Sequence, residues 1–111
     1  MDDNRPIVTV GIIEAKPERV AQVEDALRAA VRAAHSEAGC HLYALHRTGE
    51  DPVRFVMIEQ WSGPAALAAH LAGDGIQALM PALAGNLAGP PLVLRLAALP
   101  EGDTKLGQLA F

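Results

Sequence analysis

Glu59, Trp61 and His70 bring a carboxylate, an indole and an imidazole into one short span, FVMIEQWSGPAALAAHL from Phe55 to Leu71. These residue types suit proton transfer beside a flat ligand. A carboxyl on an apolar surface holds its proton more tightly and can become a general base. An imidazole titrates near neutrality, and an indole can wall an aromatic guest. Each residue also has a plainer role. Glu59 could be a sheet-edge acid paired with Arg47, Arg54 or Arg95, Trp61 could be core or interface packing, and His70 could be a solvated or hydrogen-bonded helix residue.

The elements around the span decide between these roles. Phe55 to Trp61 reads as a strand, and alternation puts Phe55, Met57, Glu59 and Trp61 on one face. His41 to Arg47 (HLYALHR) reads as its hairpin partner across the turn residues Thr48 to Pro52. The register is open. Pairing Arg47 with Arg54 would bring His46 and Leu42 to the face of Glu59, and a slip of one residue would bring Tyr43 instead. His41 and His46 point to opposite faces and cannot chelate one metal together. After the Ser-Gly-Pro corner, Pro64 to Leu71 reads as a short helix with Leu67, Ala68 and Leu71 inward and His70 on the flank.

Ile7 to Glu14 is a strand apolar on both faces, so both faces need cover. Pro17 and Glu18 open a helix whose stripe is Val20, Val23, Leu27, Val31 and Ala34, with Gly39 as a stop and His35 in the last turn at the surface. Ile76 to Leu87 is a further helical run with Ile76, Leu79, Met80 and Leu83 on one face, kinked or broken at Pro81. Leu92 to Leu99 is the last strand. The tail from Pro100 to Phe111 is either a disordered end or an arm on a partner subunit, since Leu106, Leu109 and Phe111 would be wasted in water. The order β-α-β-β-α(α)-β is α+β and ferredoxin-like: an antiparallel sheet with helices on one face, over residues 1–111 as one domain with a core at about 7–99. The other face is apolar, so a homodimer packed through the sheet face is expected.

Composition bounds the function classes. The chain has 111 residues, 50% of them hydrophobic and 20% charged, with a net charge of −4. No basic cluster exists to offset phosphate charge, which argues against nucleic acid. No apolar run reaches the ~20 residues of a membrane helix, and the acidic start MDDNRP lacks a signal core. Cys40 is the only cysteine, so no internal disulfide forms, and a reducing cytoplasm is expected. Phosphate-loop, dinucleotide, paired-cysteine zinc and Gly-x-Ser-x-Gly motifs are absent, so an enzyme built on this chain would bring its cofactor in loosely or need none, and the expectation is no cofactor and no metal.

Read together, Lys16-Pro17, Gly39-Cys40-His41-x-Tyr43, His46-Arg47, Asp51-Pro52, Glu59-Gln60-Trp61 and Ala69-His70-Leu71 resemble the antibiotic-biosynthesis-monooxygenase (ABM) domain over roughly residues 7–99. The resemblance implies a dimeric α/β barrel of ferredoxin-like subunits, each with a pocket between sheet and helices. It also implies activities that range from cofactor-free oxygenases of anthrone-type phenols and quinol monooxygenases to haem degradation. Many members carry a second His five residues after the one matching His70, where this chain has Gly75. The Asn, Trp and His of haem-degrading members fall on Val10, His70 and Met80, which disfavours haem.

The expected function is a cofactor-independent monooxygenase acting on a small phenolic, quinol or polyketide-like aromatic with O₂. An electron-rich phenolate can reduce O₂ itself if the protein supplies deprotonation and a dry pocket. His70 or Glu59 is the expected base. Trp61, Tyr43 and Met57 are the expected substrate-binding walls, with His46 as an extra hydrogen-bonding group. The alternatives are a non-oxidative isomerase of a small metabolite on the same fold, or a non-catalytic, stress-associated dimer that binds a ligand.

Overall fold

The computed structural model describes residues 5–109. The acidic start at residues 1–4 and Phe111, expected as a packing residue of the tail, lie outside them. Strands β1 (Ile7–Glu14), β2 (Cys40–Arg47), β3 (Arg54–Trp61) and β4 (Leu92–Leu96) form one open antiparallel sheet in the order β2-β3-β1-β4. Helices α1 (Val20–Ala34), α2 (Pro64–Ala72) and α3 (Asp74–Leu83) complete an α+β, ferredoxin-like fold. No helix among the described residues is long and apolar enough to cross a membrane.

A short 3₁₀ turn, Pro17–Arg19, leads into α1, using a proline where its missing N–H costs nothing. The buried stripe of α1 is Val23, Leu27, Ala30 and Ala34, three or four residues apart, with Val20 and Val31 packed beside it. These side chains lie against Phe55, Met57, Trp61 and Tyr43 from the sheet. Burying a side chain such as Leu27 or Phe55 contributes about 1.5–3 kcal/mol, which makes this layer the main support of the site above it.

Four sequence expectations change. In α2 the buried residues are Leu67 and His70, while Leu71 is 49% exposed and Ala68 also faces water. The helix is Ala/Leu-rich on all sides, so its sequence offers no polar face to mark the inside. Pro81 does not break α3, which runs on to Leu83. The hydrogen bond it deletes belongs to the last turn, and the proline is on the exposed side. Met80, expected inward with Leu79 and Leu83, is 60% exposed. β4 ends at Leu96 rather than Leu99.

The face of the sheet away from the helices is apolar and largely open. Val10, Ile12, Val56 and Ile58 are half-buried there, and Leu92, Leu94 and Leu96 on β4 are exposed. The tail folds back over one end of this face. Asp103 organises it, its Oδ1 accepting from the Lys105 N–H at 2.8 Å and the Leu106 N–H at 3.0 Å. Leu99, Gln108 and Leu109 then enclose a cavity of about 200 Å³ with Val8, Gln60 and Leu96.

Candidate active site

The hairpin register decides which second-strand residue meets Glu59. Arg47 pairs with Phe55, which sets Tyr43 opposite Glu59 and Leu45 opposite Met57. His46 pairs with Val56, so it belongs to the far face and is exposed there. The structure therefore removes His46 from the group around Glu59. A bulge between Cys40 and Leu42 then lets Cys40 pair with Trp61.

On the helix-side face the chemistry converges on His70. Its ring is 4% exposed, packed face-on against Trp61 with centroids 4.4 Å apart and planes at 31°. Tyr43 meets the His70 ring edge-on at 5.2 Å and meets Trp61 edge-on at 6.1 Å. Trp61 is fully buried and Met57 nearly so, within the core. The indole N–H of Trp61 donates to Glu59 Oε1 at 3.0 Å, and His70 Nε2 stands 3.9 Å from the same oxygen. That second separation is an ion-pair distance rather than a hydrogen bond.

Sequence reasoning missed Glu37. Its Oε1 lies 2.6 Å from His70 Nδ1, and because a carboxylate only accepts, Nδ1 carries the proton. Glu37 sits in the turn after α1, outside any periodic pattern. One signal could have found it: an acid just beyond a helix C-terminus opposes the dipole and so calls for a partner. Gly39 fixes the turn. Its φ of +80° is the left-handed region, and a Cβ there would fall 2.5 Å from the Cβ of Ala66. The Ser62 N–H donates to the Gly39 carbonyl at 2.8 Å, tying the Glu37 turn to the corner that starts α2.

The electrostatics follow from burial beside two carboxylates. Burial pushes the Tyr43 phenol well above its usual range, with Glu59 and Glu37 adding to the effect. Burial also raises the Cys40 thiol, again reinforced by Glu37 and Glu59. The buried hydroxyl of Thr9, directly across the ladder from Glu59, has no hydrogen-bond partner among the described residues. Arg95, expected as a possible partner for Glu59, pairs across the ladder with Thr9, one strand further away. His35 is exposed at the end of α1, and its Nε2–H donates to the Tyr43 carbonyl at 3.0 Å. No group of three or more His, Cys, Asp or Glu among the described residues is arranged to hold a metal ion.

Two concave regions border this cluster. A cleft of about 360 Å³ opens on Glu37 and His70, walled by Ala33, Ala66, Ala69 and Gly75. Its size is within the roughly 300–1,000 Å³ of small-molecule sites. A larger groove of about 970 Å³ runs along the outer edge of β2 beneath α1, past Arg28, Arg32 and Arg47. It touches Tyr43 but none of His70, Glu37, Glu59 or Trp61, whereas the smaller cleft reaches His70 and Glu37 and none of Glu59, Trp61 or Tyr43.

Comparison with known proteins agrees with this fold. The chain is similar to PA3566 from Pseudomonas aeruginosa, with 30% identity and a TM-score of 0.81 over 89% of this chain and 99% of that one. It is also similar to a crystal structure described as an antibiotic biosynthesis monooxygenase, at 29% identity and TM-score 0.79, covering 85% of this chain and 99% of the other. Rv0793 from Mycobacterium tuberculosis shares the fold at 22% identity and TM-score 0.81, over 88% of this chain and 99% of its own. No curated protein gives a match. Residues 6–82, which carry the Glu37 turn, the hairpin and the His70 helix, match the family described as antibiotic biosynthesis monooxygenase, and the chain belongs to that family.

Proposed function

We propose that this chain is a cofactor-independent monooxygenase that oxidises a small phenolic, quinol or polyketide-like aromatic with O₂. The observation that carries the reading is His70: a buried imidazole, stacked on an indole, with one nitrogen engaged by Glu37 and the other turned toward Glu59. A ring held in this way has one nitrogen free to take a proton, which is the task of a general base.

The substrate hydroxyl is received at the edge between His70 Nε2 and the Glu59 carboxylate, whose side chain is 13% accessible. Nε2 takes the phenolic proton. The resulting phenolate or carbanion gives an electron to O₂, and recombination forms a carbon–oxygen bond to a hydroperoxide. Loss of water then leaves a carbonyl, with the proton held on His70 returned to the departing oxygen. One oxygen atom ends in the quinone and the other in water, with all four electrons drawn from the substrate. Trp61 and Tyr43 hold the base in place and keep water from it.

The apolar sheet face supports a homodimer through that face, because Leu92, Leu94 and Leu96 stand exposed beside half-buried Val10 and Ile12. The lone free thiol, Cys40, suits a reducing compartment, and we assign the protein to the cytoplasm.

Oxygen uptake with a panel of anthrones, naphthols and quinols tests the function. At least one should be consumed with one O₂ per quinone formed, and His70→Ala and Glu59→Gln should each lower the rate about 10²-fold or more. Unchanged turnover in both variants overturns the assignment. Proton exchange on a substrate without O₂ consumption would favour the isomerase reading.

A further inference from the structure

Glu37 differs from the other polar groups of the cluster in its origin. Glu59, Trp61 and Tyr43 all project from the sheet, whereas Glu37 reaches His70 from the turn after α1. It is also the more open member of its pair: the Glu37 side chain is 23% exposed and that of His70 is 3%. The Glu37 Oε1 to His70 Nδ1 contact is 2.6 Å, shorter than the 3.0 Å bond from Trp61 to Glu59. Short bonds of this kind are the charge-assisted ones.

The geometry points to Glu37 as the positioning residue of His70, the group that fixes its tautomer and ring orientation. This inference rests on the reading of His70 as the base. A free neutral histidine prefers its proton on Nε2, so an imidazole left to itself would present the wrong nitrogen as acceptor. With Glu37 accepting from Nδ1–H, the lone pair is forced onto Nε2 and directed at the Glu59 edge. When Nε2 takes a substrate proton, the same carboxylate faces the imidazolium that forms and stabilises it.

Two glycines flank that carboxylate. A Cβ at Gly75 would stand 3.1 Å from the Ala33 Cβ and 3.5 Å from Glu37 Oε2, and one at Gly73 would stand 3.4 Å from the same oxygen. Glu37 is the carboxylate hydrogen-bonded to the ring, while Glu59 stands at the longer ion-pair distance of 3.9 Å. The other titratable groups facing the ring are Glu59 and Tyr43, with Cys40 close enough to feel both carboxylates, and Asp74 lines the same cleft.

Ring ¹⁵N NMR of His70, recorded at a pH where the ring is neutral, tests this without any substrate. The wild-type protein should show the Nδ1–H tautomer and Glu37→Ala the Nε2–H tautomer. Glu37→Gln, whose amide oxygen can still accept, should keep Nδ1–H. With a substrate in hand, Glu37→Ala should lower the rate about 10²-fold and Glu37→Gln less, because only the charge is lost. An Nε2–H ring in the wild-type protein overturns the inference whatever the variants do, as does an unchanged Nδ1–H ring in Glu37→Ala. If the tautomers behave as expected and no aromatic is oxidised, the oxygenase reading fails while the positioning role of Glu37 stands.

Discussion

Trp61 donates its indole N–H to Glu59 Oε1 at 3.0 Å, from two residues further along the same strand face. Strand alternation stacks the two side chains, so the hydrogen bond orients the carboxylate without help from another element. The indole is thus both the floor beneath His70 and the anchor of the acid opposite it. Trp61→Phe keeps a ring but removes the donor. It should destabilise the protein by about 2 kcal/mol, partly through the smaller ring and partly through the lost bond to a charged group, measured by urea unfolding. It should also lower turnover, whereas an effect on stability alone would show that the Glu59 anchor is dispensable.

Tyr43 is the only tyrosine, so absorbance near 295 nm reports its ionisation without interference. Its phenol is raised by burial first and by Glu59 and Glu37 next. A raised acid binds its proton more tightly in the folded chain, so its stabilising effect is complete below the unfolded value near 10 and is lost as pH rises beyond it. Above pH ~10 stability should fall by about 1.4 kcal/mol per pH unit from this group. Phenolate should appear only as the chain unfolds, and Tyr43→Phe should flatten that alkaline slope. A phenol that titrates near pH 10 in the folded protein would contradict the buried environment.

Gly39 has a φ of +80°, and a Cβ there would lie 2.5 Å from the Cβ of Ala66. Gly39→Ala should cost more than about 2 kcal/mol, combining backbone strain with a clash against α2. Gly49→Ala is the control, with nothing within 4 Å of its Cβ. It should change stability by no more than about 0.5 kcal/mol in thermal unfolding. Equal effects at the two positions would remove the tight joint between the Glu37 turn and α2.

His46 and His70 should separate cleanly in an activity assay. His46 pairs with Val56 on the far face and is exposed, so His46→Ala should leave the rate within about twofold. A large loss in His46→Ala would mean that the far face contributes to the reaction.

Leu27 and Leu71 test the packing layer. Leu27 is 1% exposed in the core beneath the site, and Leu27→Ala should cost about 2–5 kcal/mol. Leu71 is 49% exposed, and Leu71→Ala should cost well under 1 kcal/mol. Chemical denaturation of both variants ranks them.

The element order was legible in the sequence because each element has a period or a breaker of its own: the stripe Val20–Val23–Leu27–Val31–Ala34, the Ser62-Gly63-Pro64 corner, the alternation through Trp61. The inward turn of His70 was not, because α2 is nine residues of mostly Ala and Leu with no polar contrast to mark its inside. Tyr43 against His46 rested on a one-residue register that local propensity does not encode. Glu37 was hidden because its partner is 33 residues away and only the Gly39 joint brings the two together.

The bulge between Cys40 and Leu42 gives β2 one residue more than β3 at the end of their ladder. His41 is that surplus residue, so dropping it would restore even pairing while leaving Tyr43 opposite Glu59. A deletion anywhere from Ala44 to Arg47 would instead shift the register and turn the phenol outward. The hairpin thus has one position where a residue can be removed without dismantling the cluster.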